Sequence, residues 1–201
     1  MKHKFVLYYM LCFSMAFLMS FKQNITPASA SGIVTEDSMS IDKFIQIGVE
    51  APEFELPDQN GALVSLRAFR GKFVVIYFYP KDNTPGCTKE SCDFRDNYLP
   101  FQELGVVILG ISPDSVASHV KFISNHDLPF TLLSDTSKVT LNAYGVWGQK
   151  SFAGKSYDGV IRSTILIDPD GKVVKIWSPV SVVGHVQEVM AEVEKAVKAR
   201  K

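Results

Sequence analysis

The feature that most constrains the fold is an uninterrupted apolar run at residues 73–79. Its sequence, Phe-Val-Val-Ile-Tyr-Phe-Tyr, consists only of β-branched and aromatic residues, which are enriched in strands. A strand with one face in water would alternate apolar and polar side chains, and this run does not alternate. It therefore predicts a central strand that is covered on both faces, as in α/β proteins.

Strands and helices are predicted to alternate around this run. Asp-Gln-Asn-Gly at residues 58–61 is typical of a hairpin turn between two short strands, and Asp-Pro-Asp-Gly at residues 168–171 predicts a second hairpin. The predicted strands are 51–56, 62–65, 73–79, 106–111, 130–133, 163–167 and 173–177. The first predicted helical segment begins at about Cys87 and has a kink or break at Pro100. The other predicted helices cover 115–124, 138–144 and 184–200. This order predicts an α/β domain with a parallel-cored sheet and added antiparallel strands.

Helical periodicity identifies the side chains that should face the core. The expected core residues are Phe94, Tyr98, Phe101 and Leu104 in the first helical segment; Val116, Val120 and Ile123 in the second; and Val186, Val189, Met190, Val193, Ala196 and Val197 in the last.

Composition excludes several classes of protein. Of the 201 residues, 46% are apolar and 21% are charged, which is typical of one globular domain at this length. Basic and acidic residues balance at 21 each, so the excess of positive charge that marks a nucleic-acid-binding protein is missing. We expect no nucleic-acid partner, no stable membrane partner and a monomer.

The first 30 residues differ from the rest of the chain. A basic start is followed by an uncharged, almost wholly apolar run at residues 5–21, and Ala28-Ser29-Ala30 resembles a small-residue cleavage site. We expect residues 1–30 to be an export signal cut after Ala30, 31–44 a flexible linker and 45–201 the folded domain, exported to the periplasm. The alternative is an uncleaved membrane anchor through residues 5–21, a length at the short limit for a span.

Two of the three cysteines lie in the expected domain. Cys12 belongs to the apolar leader, whereas Cys87 and Cys92 follow the central strand. An exported protein enters an oxidising compartment, so these two cysteines could form a permanent structural disulfide. Their local sequence has to decide between a structural and a reactive pair.

Cys87 lies where the loop after the central strand turns into a helix. The first N–H groups of a helix have no intrahelical partner and favour an anion, a placement that favours a thiolate. Pro85 and Gly86 shape the turn and let the backbone approach the sulfur. Thr84 adds a hydroxyl that can donate and accept. The sequence therefore predicts a reactive thiolate at Cys87.

Ionisation alone does not make an efficient enzyme. A free thiol with a pKa near 8.5 is about 3% ionised at pH 7, so full ionisation gains only ~30-fold, whereas enzymes reach ~10⁶-fold or more. The remainder requires a fixed cation and hydrogen-bond donors beside the sulfur. Arg162, before the strand at 163–167, is the candidate cation, with a solvated arginine as the alternative. Glu90 either orients that arginine or is a solvated residue on the helix surface.

The spacing of Cys87 and Cys92 argues against a permanent bridge. Five residues of regular helix place two Cα atoms roughly 8–9 Å apart with a rotation of about 140°, whereas a disulfide needs them within about 7 Å. A bond between the two sulfurs would require the helix to unwind, which suits a reversible disulfide. The same divergence disfavours a shared metal site, and a Cys-x-x-Cys motif is absent.

The segment around Cys87 resembles that of a known family. Pro80-x-x-x-Thr84-x-x-Cys87 is similar to the peroxiredoxin signature, and Thr-Pro-Gly-Cys-Thr at 84–88 with a cysteine five positions on resembles the Q type, or bacterioferritin comigratory protein. Similarity continues through Tyr-Gly-Val-Trp-Gly at 144–148, the glycine-containing segment 154–159, Arg162 and Leu-Ile-Asp at 166–168. It covers about residues 49–196.

This resemblance implies a thioredoxin-like fold, with Cys87 as the peroxidatic cysteine and Cys92 as the resolving cysteine of an intramolecular disulfide. It implies that Thr84 and Arg162 contact the sulfur and that Pro80 shields the pocket, which Pro85, Gly86 and Glu90 would support. The implied substrates are hydrogen peroxide and organic hydroperoxides. The implied reductant is a thioredoxin-like protein, and no metal or cofactor is implied.

Two other functions stay open at this point. One is a thiol–disulfide carrier on the same fold, and the other is a non-enzymatic domain with a structural disulfide. The isolated histidines and tryptophans have no ligand spacing, so we expect surface or capping roles for His119, His126 and His185, and packing roles for Trp147 and Trp177.

Overall fold

The computed structural model describes residues 41–152 and 154–200. Residues 1–40, which hold the predicted export signal and most of the predicted linker, lie outside this part of the chain. Residues 41–44 belong to the domain, because Ile41 packs against the core and Phe44 lies over Gly145. The boundary predicted at residue 44 stays a prediction, since residues 31–40 lie outside the described part.

The described residues form nine strands and five α-helices, with 3-10 helices at Ile41–Lys43 and Leu66–Phe69. The strands are β1 (Glu55–Pro57), β2 (Leu63–Ser65), β3 (Val74–Phe78), β4 (Val107–Ser112), β5 (Thr131–Ser134), β6 (Trp147–Phe152), β7 (Lys155–Val160), β8 (Ser163–Ile167) and β9 (Val173–Trp177). The helices are α1 (Pro85–Asp96), α2 (Tyr98–Glu103), α3 (Val116–His126), α4 (Val139–Ala143) and α5 (His185–Ala199).

The predicted α/β class with a central mixed sheet is confirmed. Strand β3 is the middle of a five-stranded sheet in the order β5-β4-β3-β8-β9. Strands β3, β4 and β5 are parallel, and β8 pairs antiparallel with both β3 and β9. All five side chains of β3 are buried, since they alternate between two apolar layers that cover the two faces of the sheet.

Two hairpins lie outside this sheet. The predicted one pairs β1 with β2, and its turn is closed by Asp58, whose Oδ1 accepts from the backbone N–H groups of Asn60 and Ala62. The pair β6–β7 was not predicted. Its strands are largely polar and exposed around Lys150 and Tyr157, so they lack the apolar alternation that identifies a strand.

Two helical predictions were wrong in detail. The first helical segment breaks at Asn97, and Pro100 lies in the first turn of α2, where a missing N–H costs no hydrogen bond.

In α3 the buried residues are His119 and Phe122, whereas Val120 is exposed. The buried face of α3 is thus rotated from the predicted one, because a histidine faces inward. The remaining helical core stripes, in α1, α2 and α5, are confirmed.

The pairing of β8 with β3 positions the two halves of the candidate site. Phe78 at the carboxyl end of β3 lies opposite Ser163 at the start of β8. Arg162 therefore enters the sheet beside the end of β3, where the chain leaves towards α1. Within the described residues, no helix is long and apolar enough to cross a membrane.

Candidate active site

Cys87 is the third residue of α1 and is buried, with 1% of its surface exposed. Thr84 is the N-cap residue, and the first hydrogen bond of the helix runs from Thr88 N to Thr84 O at 2.8 Å. The amides of Gly86 and Cys87 precede that bond, so they are available to an anion at the helix start. The helix begins two residues before the predicted start, because Pro85 suits the first helical position.

Arg162 reaches the sulfur of Cys87. Its Nη2 donates to Cys87 Sγ at 3.3 Å, and its Nη1 donates to Glu90 Oε2. Burial works to lower the pKa of Arg162, but the charges of Glu90 and Cys87 outweigh it and raise that pKa. The alternative of a solvated arginine is wrong, since the side chain is only 15% exposed. A permanent cation lies against the thiol.

Glu90 is fully buried beneath this arginine, so the alternative of a solvated helix-face residue is wrong. Burial raises the pKa of Glu90 to about 7, although the charge and hydrogen bond of Arg162 work to lower it. Its Oε2 accepts from Arg162, while Oε1 has no hydrogen-bond partner among the described residues. The carboxyl group therefore changes its charge close to neutral pH, within one turn of Cys87.

The buried face of α1 explains why Cys87 and Cys92 diverge. Cys87, Glu90, Ser91 and Phe94 face inward at spacings of three and four residues, as expected for one helix face. Tyr77 anchors this face through a 3.1 Å hydrogen bond between its hydroxyl and Ser91 Oγ. Cys92 lies off this face, is half-buried and, like Cys87, is a free thiol. Both cysteines lie on one continuous helix, so they are too far apart to bond without unwinding.

The other predicted support residues surround the start of α1. Thr84 Oγ1 donates to Lys81 O at 2.9 Å, so its hydrogen is directed to the loop. A methyl group on Gly86 would lie 3.4 Å from Arg162 Nη2, which shows how closely the guanidinium covers this turn. Pro80 is half-buried at the end of β3, and Pro85 is exposed at the helix start.

Two further residues near the site escaped sequence reasoning. Lys150 in β6 donates to Val160 O at 3.0 Å. Burial and the charge of Arg162 lower the pKa of Lys150, although the charge of Cys87 works to raise it. His185 is buried and its Nε2 lies 2.7 Å from Thr164 Oγ1. Burial, followed by the charge of Arg162, lowers the pKa of His185 to about 4, so it is neutral at pH 7. Both come from distant segments with no motif of their own.

The histidine predictions fail at two positions. His119 and His185 are buried, so the expected surface or capping roles are wrong for both. Trp147 and Trp177 pack at the edges of the core as expected. Across residues 41–152 and 154–200, no group of three or more His, Cys, Asp or Glu side chains is placed to hold a metal ion.

The geometry suits attack by a thiolate on a polarised bond. A buried sulfur, a fixed guanidinium and free helix amides converge, so negative charge that develops beside the sulfur meets preorganised donors. Residues 47–176 match the model of the AhpC/TSA family. The chain belongs to the peroxiredoxins of this family, in the Q-type or Bcp group. It is therefore a thiol peroxidase.

Individual relatives support this membership. The chain is 49% identical over 146 residues to peroxiredoxin Bcp of Bacillus subtilis, which covers 73% of this chain and 93% of that protein. A structure of Xanthomonas campestris peroxiredoxin Q superposes with a TM-score of 0.69 at 41% identity, covering 72% of this chain and 91% of the other. The bacterioferritin comigratory protein of the same organism, described with an alkyl peroxide reduction activity, gives a TM-score of 0.71 at 38% identity, covering 76% and 99%. These neighbours confirm the thioredoxin-like peroxiredoxin fold.

Glu90→Gln tests the raised pKa of Glu90. Its pKa in the folded state is about 7, above an unfolded value near ~4.3, so the folded protein holds this proton more tightly. That contribution to stability is present at low pH and is lost as pH rises through 7. Glutamine has no such ionisation, so the variant should lose less stability than the native protein between pH 5 and 8, by up to about 3 kcal/mol.

Denaturant unfolding at the two pH values measures this difference. Glu103→Gln, at the exposed end of α2, is the matched control and should follow the native protein. Identical pH dependence in the native protein and Glu90→Gln would show that Glu90 does not titrate in this range.

Proposed function

We propose that the chain reduces hydrogen peroxide and organic hydroperoxides through Cys87, and that Cys92 resolves the oxidised sulfur as an intramolecular disulfide. A thioredoxin-like dithiol protein then reduces this disulfide. The observation that carries the proposal is the contact of 3.3 Å between Arg162 Nη2 and Cys87 Sγ at the start of α1. Support for the organic substrates comes from the Xanthomonas relative that is described with alkyl peroxide reduction.

In the first step, the Cys87 thiolate attacks one oxygen of the hydroperoxide and the O–O bond breaks. Sulfur becomes a sulfenic acid, and the other oxygen leaves as water or an alcohol after taking a proton. Arg162 and the amides of the first turn stabilise the thiolate and the charge on the leaving oxygen. Because Glu90 pairs with one nitrogen of the guanidinium, the other nitrogen stays directed at the sulfur.

Thr84 and Pro80 complete the pocket in this proposal. The hydroxyl hydrogen of Thr84 is used by Lys81 O, so towards the pocket its oxygen can accept a hydrogen bond. It would accept from the O–H of the peroxide and orient it for attack. Pro80, half-buried between β3 and the loop, would shield the sulfur from solvent without adding a competing donor.

In the second step, the Cys92 thiol attacks the sulfenic sulfur, and water is released as the disulfide forms. The residues of α1 must unwind for this, since a regular helix keeps the Cα atoms about 8–9 Å apart. Sulfenic acid lacks the full charge of a thiolate, so oxidation weakens the interaction that favours the folded helix start. Both cysteines belong to one helix, so a monomer suffices for the cycle.

We further propose that the enzyme acts outside the cytoplasm. The supporting sequence is the apolar run 5–21 followed by Ala28-Ser29-Ala30, and the reductant would then be an exported thioredoxin-like protein. If the signal is cut, N-terminal sequencing of the secreted fraction should start at Ser31. A full-length chain starting at Met1 in the membrane fraction would show the anchor instead.

The roles of the two cysteines are separable by substitution. Cys87→Ser should abolish peroxide turnover, because a serine hydroxyl is not ionised near neutral pH. Cys92→Ser should consume one equivalent of peroxide and stop at the sulfenic acid. Peroxide consumption with excess reductant and mass spectrometry of Cys87 measure both outcomes, and a Cys87→Ser variant with native turnover would exclude the assignment.

Arg162→Ala should slow the reaction of Cys87 with peroxide by about 10²–10³-fold, the usual cost of losing one preorganised donor. Stopped-flow kinetics of the reduced protein measure this rate constant directly. Arg67→Ala is the matched control, because the Arg67 side chain is 79% exposed and should leave the rate unchanged. If the rate constant fell by less than about threefold in Arg162→Ala, Arg162 would have no role in the reaction.

Unwinding can be detected by hydrogen exchange. Amides from about Cys87 to Arg95 should be protected in the reduced protein and should lose protection in the disulfide form, whereas β3 and β4 stay protected in both. Equal protection of α1 in both forms would contradict the opening step.

A further inference from the structure

A second buried polar cluster lies behind the loop that leads to Cys87. Asp82 accepts three hydrogen bonds, from Tyr79 Oη at 2.8 Å, Ser118 Oγ at 2.7 Å and His119 Nδ1 at 2.9 Å. Its own backbone N–H donates to Asp114 Oδ2 at 2.9 Å. Asp82 and His119 are buried, with 5% and 0% of their surfaces exposed. This Asp82 network has no part in the chemistry proposed above.

The network gathers several elements around one residue of the loop. Tyr79 follows β3, Ser118 and His119 belong to α3, and Asp114 follows β4, whose last residue, Ser112, donates to Asp114 Oδ2 at 2.8 Å. Asp82 lies between the end of β3 and Thr84, the N-cap of α1. The segment 80–84 is therefore fastened at the carboxyl edge of the parallel strands.

Of the two ring nitrogens of His119, Nδ1 is the one that bonds to Asp82. Burial works to raise the pKa of Asp82, but the hydrogen bond and charge of His119, with Ser118 and Tyr79, outweigh it and lower that pKa. The carboxylate can only accept, so Nδ1 of His119 carries the hydrogen between them. Nε2 has no partner among the described residues. Only one nitrogen of this fully buried ring is used, and it is directed at the loop.

We propose that His119, acting through Asp82, is a positioning residue for peroxide reduction: it holds the segment 80–84 in place so that the Thr84 hydroxyl stays aligned with the peroxide at Cys87. This inference rests on the proposed peroxidase chemistry and adds to it the contacts that hold the segment 80–84.

Energetics favour a positioning role over a purely stabilising one. A buried polar cluster adds little net stability compared with apolar side chains of the same shape, whereas several hydrogen bonds that converge on one carboxylate hold it in one conformation. The adjoining helix α1 has to open in each catalytic cycle. A loop anchored independently of α1 lets the helix open and return to the same N-cap at Thr84.

Two variants of similar shape separate the hydrogen bond from the packing of the ring. Asparagine at position 119 can place its amide N–H near the native Nδ1, whereas leucine cannot donate. His119→Leu should slow the reaction of Cys87 with hydrogen peroxide by about 10–100-fold, as expected for a misaligned reacting group. His119→Asn should stay within about threefold of the native rate. His126→Leu, on the same helix but outside the network, is the control and should react normally.

Two further measurements distinguish positioning from general damage. Alkylation of Cys87 by iodoacetamide needs the thiolate but not the aligned peroxide, so its rate should not fall in His119→Leu. Protection of the Asp82 amide against hydrogen exchange should fall in His119→Leu and stay in His119→Asn, because that amide bonds directly to Asp114.

If His119→Leu does not fold, His119→Gln replaces it, since the glutamine amide reaches the position of the unpartnered Nε2 and not of Nδ1. His119→Gln should then be slow where His119→Asn is not. The proposal would be overturned if His119→Asn reacted with peroxide at the same rate as His119→Leu, or as His119→Gln where that variant replaces it. It would also be overturned if the rates of alkylation and of peroxide reaction fell in parallel. Failure of the native protein to oxidise Cys87 with peroxide would instead overturn the peroxidase chemistry itself.

Discussion

The contact between the Arg162 guanidinium and the Cys87 sulfur is the interaction on which the rest of the site depends. It joins the start of α1 to the residue just before β8, far away in the sequence, and it places a permanent positive charge at a buried thiol. Glu90 accepts a hydrogen bond from Nη1, the other terminal nitrogen of the guanidinium. Because the pair Arg162–Glu90 is largely buried, each group depends on the other for compensation of its charge, and the position of the cation is correspondingly well defined.

Helix α1 has two requirements that conflict. A regular helix presents its first amides to the sulfur, but the same regularity keeps Cys87 and Cys92 apart. Burial of Phe94 and the hydrogen bond between Ser91 Oγ and Tyr77 Oη hold the helix on the sheet. In the proposed cycle, the balance between these contacts and the charge on Cys87 decides how readily the helix opens. In the proposed cycle, the loop held through Asp82 would stay in place while α1 opens.

Local sequence predicted the features that depend on neighbouring residues. The run at 73–79 predicted a strand buried on both faces, and the loop after it predicted a cysteine at a helix start. Predictions failed where polar residues are buried or strands are polar. His119 rotates the buried face of α3 because it bonds to Asp82, and β6–β7 carries no apolar alternation. Pro100 predicted a break, but the first turn of α2 tolerates it.

The sequence by itself determined the fold class, the central strand, the place of Cys87 at the start of a helix and the distance that separates it from Cys92 on that helix. These follow from side-chain periodicity and from the geometry of a single helix, which are local properties. Only the tertiary structure decided that Arg162 reaches the sulfur, that Glu90 is buried beside it, and that His119 bonds to Asp82 in the loop. Those contacts depend on the register of β8 against β3 and on the packing of α3. Both bring together residues that are far apart in the sequence, and the local sequence around each residue does not indicate its distant partner.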